Sequence, residues 1–322
     1  MRVLVTGSSG FIGSHIVERL LQEGGKYDVV GLDLWFNYED LSNTRSQEGF
    51  NFVKGSILDD GVLEKALKDV DAVVHMAGIL GTSESLGKYT PIEIANTNIL
   101  GTLKLLEHSL SSGVRRVIYP STPDVPWLNP YKVSKYAGEK FALIYHEYFG
   151  LEVVILKLSN VYGPRERGYG ILMKAPYMYQ KVVPTFIINA LQNKPIPIYG
   201  DGEQRSDYAY VKDVTEAFVS SLTTQKAVGH VIPIGSGKQT SVNELANLII
   251  RMSGSKSRLC YLPMRQGETS VDYCVDVQPA KELLGYWSKT SLERGIAETI
   301  GYYLEKLKTQ RTGSNLVDGR LE

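Results

Sequence analysis

Tyr131 and Lys135 stand four residues apart at the head of a helical segment, 131–149, so both side chains project from one face and can act together. A free tyrosine titrates near ~10, too high for a base at neutral pH. An adjacent ammonium, joined by a cationic ring, favours the phenolate, so Lys135 is expected to activate Tyr131 as a general base. Ser121 and Thr122 close the strand just upstream, where a hydroxyl can bridge a reacting oxygen and the phenol, and Thr122 is taken as that hydroxyl. Alone, Y-x-x-x-K is common on helices as a packed tyrosine beside a solvated lysine. Its weight comes from what precedes it.

Thr6-Gly7-Ser8-Ser9-Gly10-Phe11-Ile12-Gly13 lies directly between the first strand-like run and the first helix-like run. Glycines at 7, 10 and 13 allow a tight turn, and with Phe11 and Ile12 opening the helix, backbone N–H groups can approach a pyrophosphate. Glycine-rich turns also serve as plain connections, so the downstream spacing matters. Asp33 ends the second strand about 20 residues beyond Gly13, the offset at which a carboxylate reaches the adenosine ribose hydroxyls of a dinucleotide. A carboxylate there repels a 2′-phosphate. The cofactor expected is therefore NAD and not NADP, with Asn37 as a further neighbour.

These groups need a scaffold that brings several loops to one edge. β-rich runs at 3–6, 28–32, 52–54, 72–75, 114–119 and 153–158 alternate with helical stretches, the pattern of an α/β protein with a doubly wound parallel sheet, a Rossmann arrangement. Val3-Leu4-Val5, Val29-Val30-Gly31-Leu32 and Ala72-Val73-Val74 are almost wholly apolar, as strands covered on both faces require. Past Gly163 the pattern breaks into loops rich in Gly, Pro and Tyr, with helices near 182–193, 211–224, 241–253 and 291–308. The expected division is an NAD-binding domain over 1–163, whose sheet can recruit later segments, a smaller C-terminal substrate-binding lobe over 164–308, and a polar tail over 309–322.

Hydrophobic residues make up 43% and charged residues 22% of the chain, a globular mix long enough to bury a core without staples. Basic and acidic side chains balance at 35 each, so no overall positive field gathers nucleic acid or an anionic membrane, and any phosphate site must be local. Cys260 and Cys274 lack metal-ligand spacing and are read as buried or incidental thiols of a reducing compartment; no metal is expected. A strand starting at Arg2 leaves no room for a targeting peptide and no apolar run reaches ~18 residues, so a cytoplasmic location is expected.

With these residues placed, the chain resembles the extended short-chain dehydrogenase/reductase family, in particular its nucleotide-sugar epimerases, dehydratases and decarboxylases, from Met1 to about Lys308. Besides the glycine turn and the Tyr131/Lys135 pair, the likeness rests on His75-Met76-Ala77-Gly78 and Asn98-Ile99-Leu100-Gly101-Thr102. It also rests on Asn160-Val161-Tyr162-Gly163-Pro164-Arg165, Gly200-Asp201-Gly202-Glu203-Gln204 and Arg265-Gln266-Gly267-Glu268. The resemblance implies Ser56 and Ile57 beside the adenine, and Met76, Ala77, Gly78 and Asn98 along the cofactor. It implies Thr82, Asn160, Arg205 and Arg265 at a nucleotide-diphosphate sugar. Four departures stand out. Ser56 replaces an aspartate, Arg205 stands one place early relative to Asp207, Pro126-Trp127 replaces a V-Y-G turn, and only nine positions lead from Thr122 to Tyr131, far fewer than in relatives. The short connection is expected to strip one wall from the sugar pocket.

The resemblance further implies that Tyr131 removes a proton from the sugar C4 hydroxyl as the C4 hydride passes to NAD, leaving a 4-keto sugar. Hydride return to the other face gives 4-epimerisation, the reaction expected here. Asp124, two residues after Thr122, occupies the place of the acid in 4,6-dehydratases, and reads equally as a turn residue between Pro123 and Pro126. Uronic acid sugar decarboxylation, keto-sugar reduction and a silent NAD-binding scaffold are the remaining readings. Apolar stripes on 92–112 and 131–149 predict a homodimer through a four-helix bundle, with Leu106 and Tyr145 among the outward positions.

Overall fold

A computed structural model describes residues 1–36, 44, 47–81, 84–166, 181–265 and 268–313. Its strands are β1 (Arg2–Thr6), β2 (Asp28–Asp33), β3 (Phe50–Lys54), β4 (Ala72–His75), β5 (Arg116–Ser121) and β6 (Glu152–Leu158), then β7 (Asn160–Tyr162), β8 (Ile196–Tyr199), β9 (Arg205–Tyr210), β10 (Val231–Ile234), β11 (Gln239–Ser241) and β12 (Leu259–Leu262). Among the described residues, seven strands form one sheet in the order β3-β2-β1-β4-β5-β6-β10, and every pairing in it is parallel. Strand order reverses between β1 and β4, so the crevice at the carboxyl ends of these two strands is where a dinucleotide fits.

Alternation along each strand divides the core. Val3 and Val5 pack on one face of the sheet with Ile16, Val17 and Leu20 of the helix Phe11–Leu21. Leu4 packs on the other face with Val30, Leu63 and Leu105. A third apolar cluster, including Phe186, Ile198, Leu245 and Tyr303, lies beneath the smaller sheets β11-β9-β7 and β12-β8. β10 thus carries the chain back into the large sheet after the lobe has begun. The last helix, Leu292–Gly313, continues into the segment expected as a tail. Both cysteines are exposed and free, which corrects the reading of either as buried. Among the described residues no helix is long and apolar enough to cross a membrane.

Two helical segments position the site. The first begins at Pro91–Ala95, whose start is closed by a reciprocal Thr90/Glu93 capping box. It widens into a π-turn over Asn96–Leu100, where Gly101 N–H donates to Asn96 O five residues back, and continues as the α-helix Gly101–Ser111. The extra residue is absorbed within that turn. Leu106, expected among the outward positions, is core, at 1% exposure. Tyr145 is also unavailable as a free outward side chain, because its hydroxyl donates to Glu107 Oε2 at 2.6 Å.

The second segment, Pro130–Phe149, starts where the Asn129 side chain accepts from Lys132 N–H and Pro130 occupies the first turn, and it ends on left-handed Gly150. Gly138 faces β5 so closely that a Cβ there would lie 2.2 Å from Tyr119 Oη. Tyr119 Oη in turn donates to Lys135 O at 3.1 Å. Replacing Gly138 with alanine would force helix and strand apart, a cost of about 3 kcal/mol, while helix propensity returns about 1 kcal/mol. Gly138→Ala is therefore expected to lose about 2 kcal/mol of stability in urea unfolding; unchanged stability would mean that this contact does not set the spacing.

Candidate active site

The glycine turn is dictated by backbone proximity. Gly7 has φ +66°, and a Cβ on it would lie 2.7 Å from Ala77 N. A Cβ on Gly13 would lie 2.1 Å from Gly7 O, so the helix can approach the turn only with glycine there. Gly10 caps the helix without a side chain, which leaves the first-turn N–H groups, beginning at Phe11 and Ile12, available to an anion. Asp33 sits beside them. Its carboxylate accepts from Ser9 N–H at 2.9 Å and Leu34 N–H at 2.7 Å, tying the end of β2 to the turn.

At the end of β4 a chain of neutral hydrogen bonds runs across the crevice. Ala77 N–H donates to Thr6 Oγ1 at 3.1 Å, and Thr6 Oγ1 lies 2.8 Å from His75 Nδ1. His75 Nε2 lies 2.9 Å from Thr102 Oγ1, whose own proton goes to Asn98 O at 2.7 Å. With the Thr102 proton committed, His75 Nε2 must be the donor and Nδ1 the acceptor. Burial, then the nearby Lys135 charge, pushes His75 down to about 3, so the ring is neutral. Asn98 is buried in the π-turn. Its Oδ1 accepts from Ile79 N–H at 2.7 Å, and its Nδ2 donates to Ile79 O at 2.8 Å and to Ser134 Oγ at 2.9 Å. Met76, Ala77 and Gly78 thereby run along the crevice wall beside Gly7, with Gly78 close to the Asn98 amide. Ser56 Oγ accepts from Leu58 N–H at 3.1 Å, whereas Ile57 is buried against Gly101 and offers an adjoining ligand its backbone only.

Tyr131 and Lys135 project from one face of the helix, as their spacing predicts. Lys135 is buried, with Nζ 4.0 Å from the centre of the Tyr119 ring. Burial pushes its ammonium down to about 7, against which the Glu139 charge acts upward. Burial likewise pushes the Tyr131 phenol up to about 12. The expected depression of the phenol is therefore not a property of the protein by itself, because loss of water acts on it in the opposite direction.

The short connection between Thr122 and Tyr131 is held from the helix side: Lys132 Nζ donates to Pro123 O at 3.0 Å and also to Val125 O. Trp127 Nε1 donates to Thr269 O at 3.2 Å, joining this loop to the lobe. Thr122 follows β5 directly. Ser121, pointing the other way, donates to Glu139 Oε2 at 2.7 Å. Asp124 has a side chain 76% exposed, and both its oxygens lie 2.7 Å from Lys157 Nζ. Glu139 and Lys157 escaped the sequence reading. Glu139 nevertheless continues the i, i+4, i+8 row begun by Tyr131 and Lys135, a signal that was available.

On the lobe side, Asn160 opens β7 and is exposed. Arg205 lies at the start of β9 and pairs with Glu244, Nη2 to Oε1 3.1 Å, while its backbone N–H donates to Asp272. Asp207 is fully buried and accepts from Ser236 and Gly237. Arg265 forms a paired hydrogen bond with Glu268, Nη2 to Oε1 2.5 Å and Nε to Oε2 3.0 Å, and stacks 5.2 Å from the Tyr199 ring centre. Asn37 and Thr82 lie outside the described residues.

A doubly wound sheet, a glycine turn against an acid-tipped second strand and a tyrosine-lysine pair beside β5 together define a dinucleotide-dependent enzyme of the short-chain dehydrogenase/reductase class. Residues 3–235 match the NAD dependent epimerase/dehydratase family, and the chain belongs to that family, in its extended short-chain dehydrogenase/reductase group. It is similar to the UDP-glucose 4-epimerase of Mycolicibacterium smegmatis, 32% identical with 95% of this chain and 99% of that protein covered. It is also similar to the dTDP-glucose 4,6-dehydratase of Actinoplanes sp., 30% identical with 94% and 98% covered. Among solved structures, the UDP-glucuronic acid 4-epimerase of Bacillus cereus in complex with UDP-glucuronic acid and NAD superposes with a TM-score of 0.85 at 30% identity, covering 95% of this chain and 99% of that one. The cofactor is NAD. The residues fit it: the bare helix N-terminus suits its pyrophosphate and Asp33 its unphosphorylated ribose.

Because Asp33 presents a carboxylate beside the turn, calorimetric titration is expected to give tighter binding of NAD than of NADP, with the preference reduced in Asp33→Asn. Tighter NADP binding by the wild-type protein would remove Asp33 from the ribose site.

Proposed function

We propose that this chain is a nucleotide-sugar 4-epimerase of the cytoplasm, with Tyr131 as base, Lys135 as its electrostatic partner and Thr122 as the hydroxyl that bridges phenol and substrate. Bound NAD supplies a hydride acceptor that becomes the donor after the first half-reaction, and a positive ring charge that favours the Tyr131 phenolate. Tyr131 takes the proton from the sugar C4 hydroxyl, and a 4-keto sugar results. After the sugar turns over, Tyr131 returns the proton to the new C4 alkoxide, so atoms and electrons balance with no net redox. Arg265 and Asn160 face the diphosphate in this reading, Arg265 exchanging Glu268 for phosphate oxygens with the same paired donors. Arg205 is a weaker phosphate ligand, since it stands one place early on β9, where neighbouring positions point to opposite faces.

The observation that favours epimerisation over 4,6-dehydration is the pairing of Asp124. Dehydration needs a group that takes the C5 proton, whereas Asp124 is exposed and bound to Lys157 through both oxygens. A homodimer completes the reading. Outward residues of the two helical segments include Ile92, Leu100, Tyr136, Ile144, Tyr148 and Phe149, all exposed, and a second copy would cover them.

The function is tested by incubating the NAD-loaded protein with UDP- and dTDP-sugars and following products by NMR and mass. Unchanged mass with inversion at C4 is expected; loss of water or of carbon dioxide would replace the epimerase reading. Tyr131→Phe should lower kcat at least a hundredfold while NAD still binds, and retention of a tenth of the activity would place the base elsewhere. For assembly, Leu100→Glu combined with Ile144→Glu should yield monomers in light scattering, and a wild-type monomer at micromolar concentration would refute the dimer.

A further inference from the structure

We propose that Glu139 is a positioning residue for the Tyr131/Lys135 pair: its buried carboxylate, moored to β5 through Ser121 and to β6 through Lys157, keeps the Lys135 side chain charged against the Tyr119 ring. The proposal rests on the assignment of Tyr131 and Lys135 as the reacting pair. Glu139 lies one helical turn beyond Lys135 on the same face and is only 1% exposed. A carboxylate so buried must be compensated. Ser121 Oγ donates to its Oε2 at 2.7 Å, Lys157 Nζ lies 3.8 Å from the same oxygen, and Lys140 Nζ lies 3.0 Å from Oε1.

The groups facing Lys135 show why this charge matters. From its own helix come Tyr131 and Glu139; from β5, the Tyr119 ring; from β4, His75, held neutral. Lys157 on β6 competes for the Glu139 carboxylate, its Nζ 3.8 Å from Oε2, and is itself bound by exposed Asp124. Among the described residues Glu139 is the one carboxylate whose charge opposes the loss of the Lys135 proton, and even with that help burial brings the Lys135 midpoint down to about 7. Removing it lowers the Lys135 midpoint, and a neutral Lys135 no longer favours the Tyr131 phenolate, so the phenol midpoint rises. Asp124, Lys157 and Glu139 thus form one line of alternating charge from the surface of the short loop to the reacting helix. In this arrangement Asp124 has an anchoring part and no chemical one.

The test uses NAD-bound protein labelled with carbon-13 at the lysine ε position, with the Lys135 resonance identified by its loss in Lys135→Met. In Glu139→Gln the Lys135 midpoint should fall by about one pH unit, and Glu139→Asp should restore most of it. The pH–kcat profile should narrow from both sides, with the alkaline limb moving down and the acid limb up, whereas a merely structural role would lower kcat at every pH and leave both limbs in place. Lys157→Met removes the competing cation and should move the Lys135 midpoint the other way, upward. An unmoved Lys135 midpoint in folded Glu139→Gln overturns the proposal; where that variant does not fold, an unmoved or lowered midpoint in Lys157→Met does so. Because the titration needs no turnover, a wild-type protein inactive on every sugar would sink the epimerase reading and leave this test intact.

Discussion

An ammonium held beneath the surface is the constraint around which this molecule is arranged. Removing a charge from water costs several kcal/mol, and the penalty is tolerated only where the surroundings answer it. Around Lys135 the answer is an aromatic face 4.0 Å away and a buried carboxylate one helical turn on. Both depend on how closely the helix Pro130–Phe149 lies on β5. That closeness exists because position 138 carries no side chain, and because Tyr119 Oη finds a partner in the helix backbone itself.

The cofactor turn and the reacting helix are joined without further charge. From Ala77 through Thr6, His75 and Thr102 to Asn98, every link is a neutral donor meeting a neutral acceptor, and the Asn98 amide passes the connection to Ser134 on the helix. A protonated histidine in this chain would stand near Lys135 as a like charge, and burial prevents it. The network fixes geometry in a region where electrostatic balance is already delicate, and it does so with dipoles alone.

The parallel sheet was legible because β1, β2 and β4 are almost wholly apolar runs, and the glycine turn because Gly7 and Gly13 leave no room for a Cβ. Tyr131 and Lys135 were legible from spacing within that context. What escaped had two causes. Glu139 and Lys157 are charged residues that a sequence presents as solvated, and only the burial of Glu139 and their mutual approach, from a helix and a strand 18 residues apart, reveal otherwise. Leu106 was misplaced because an apolar residue on a helix reads equally as core or as interface, and in the helix Gly101–Ser111 it joins Leu105 on the face turned to the core. Its inward packing and the Tyr145–Glu107 bond move the exposed apolar stripe to Leu100, Ile144 and Tyr148.

The π-turn over Asn96–Leu100 limits how this stretch of chain can vary in length. Upstream of it, Ile94 is buried; within it, Asn98 bonds Ile79 in the loop after β4 and Ser134 of a neighbouring helix; downstream, Leu105 and Leu106 fill the core. Adding or removing one residue in the regular helix on either side of it would turn the two halves by roughly 100° from their present relation, and one of the three could no longer face its partner. The segment behaves as a phase lock: substitutions within it can be absorbed one at a time, but a single-residue insertion or deletion is read at once by the amide, the core and the surface.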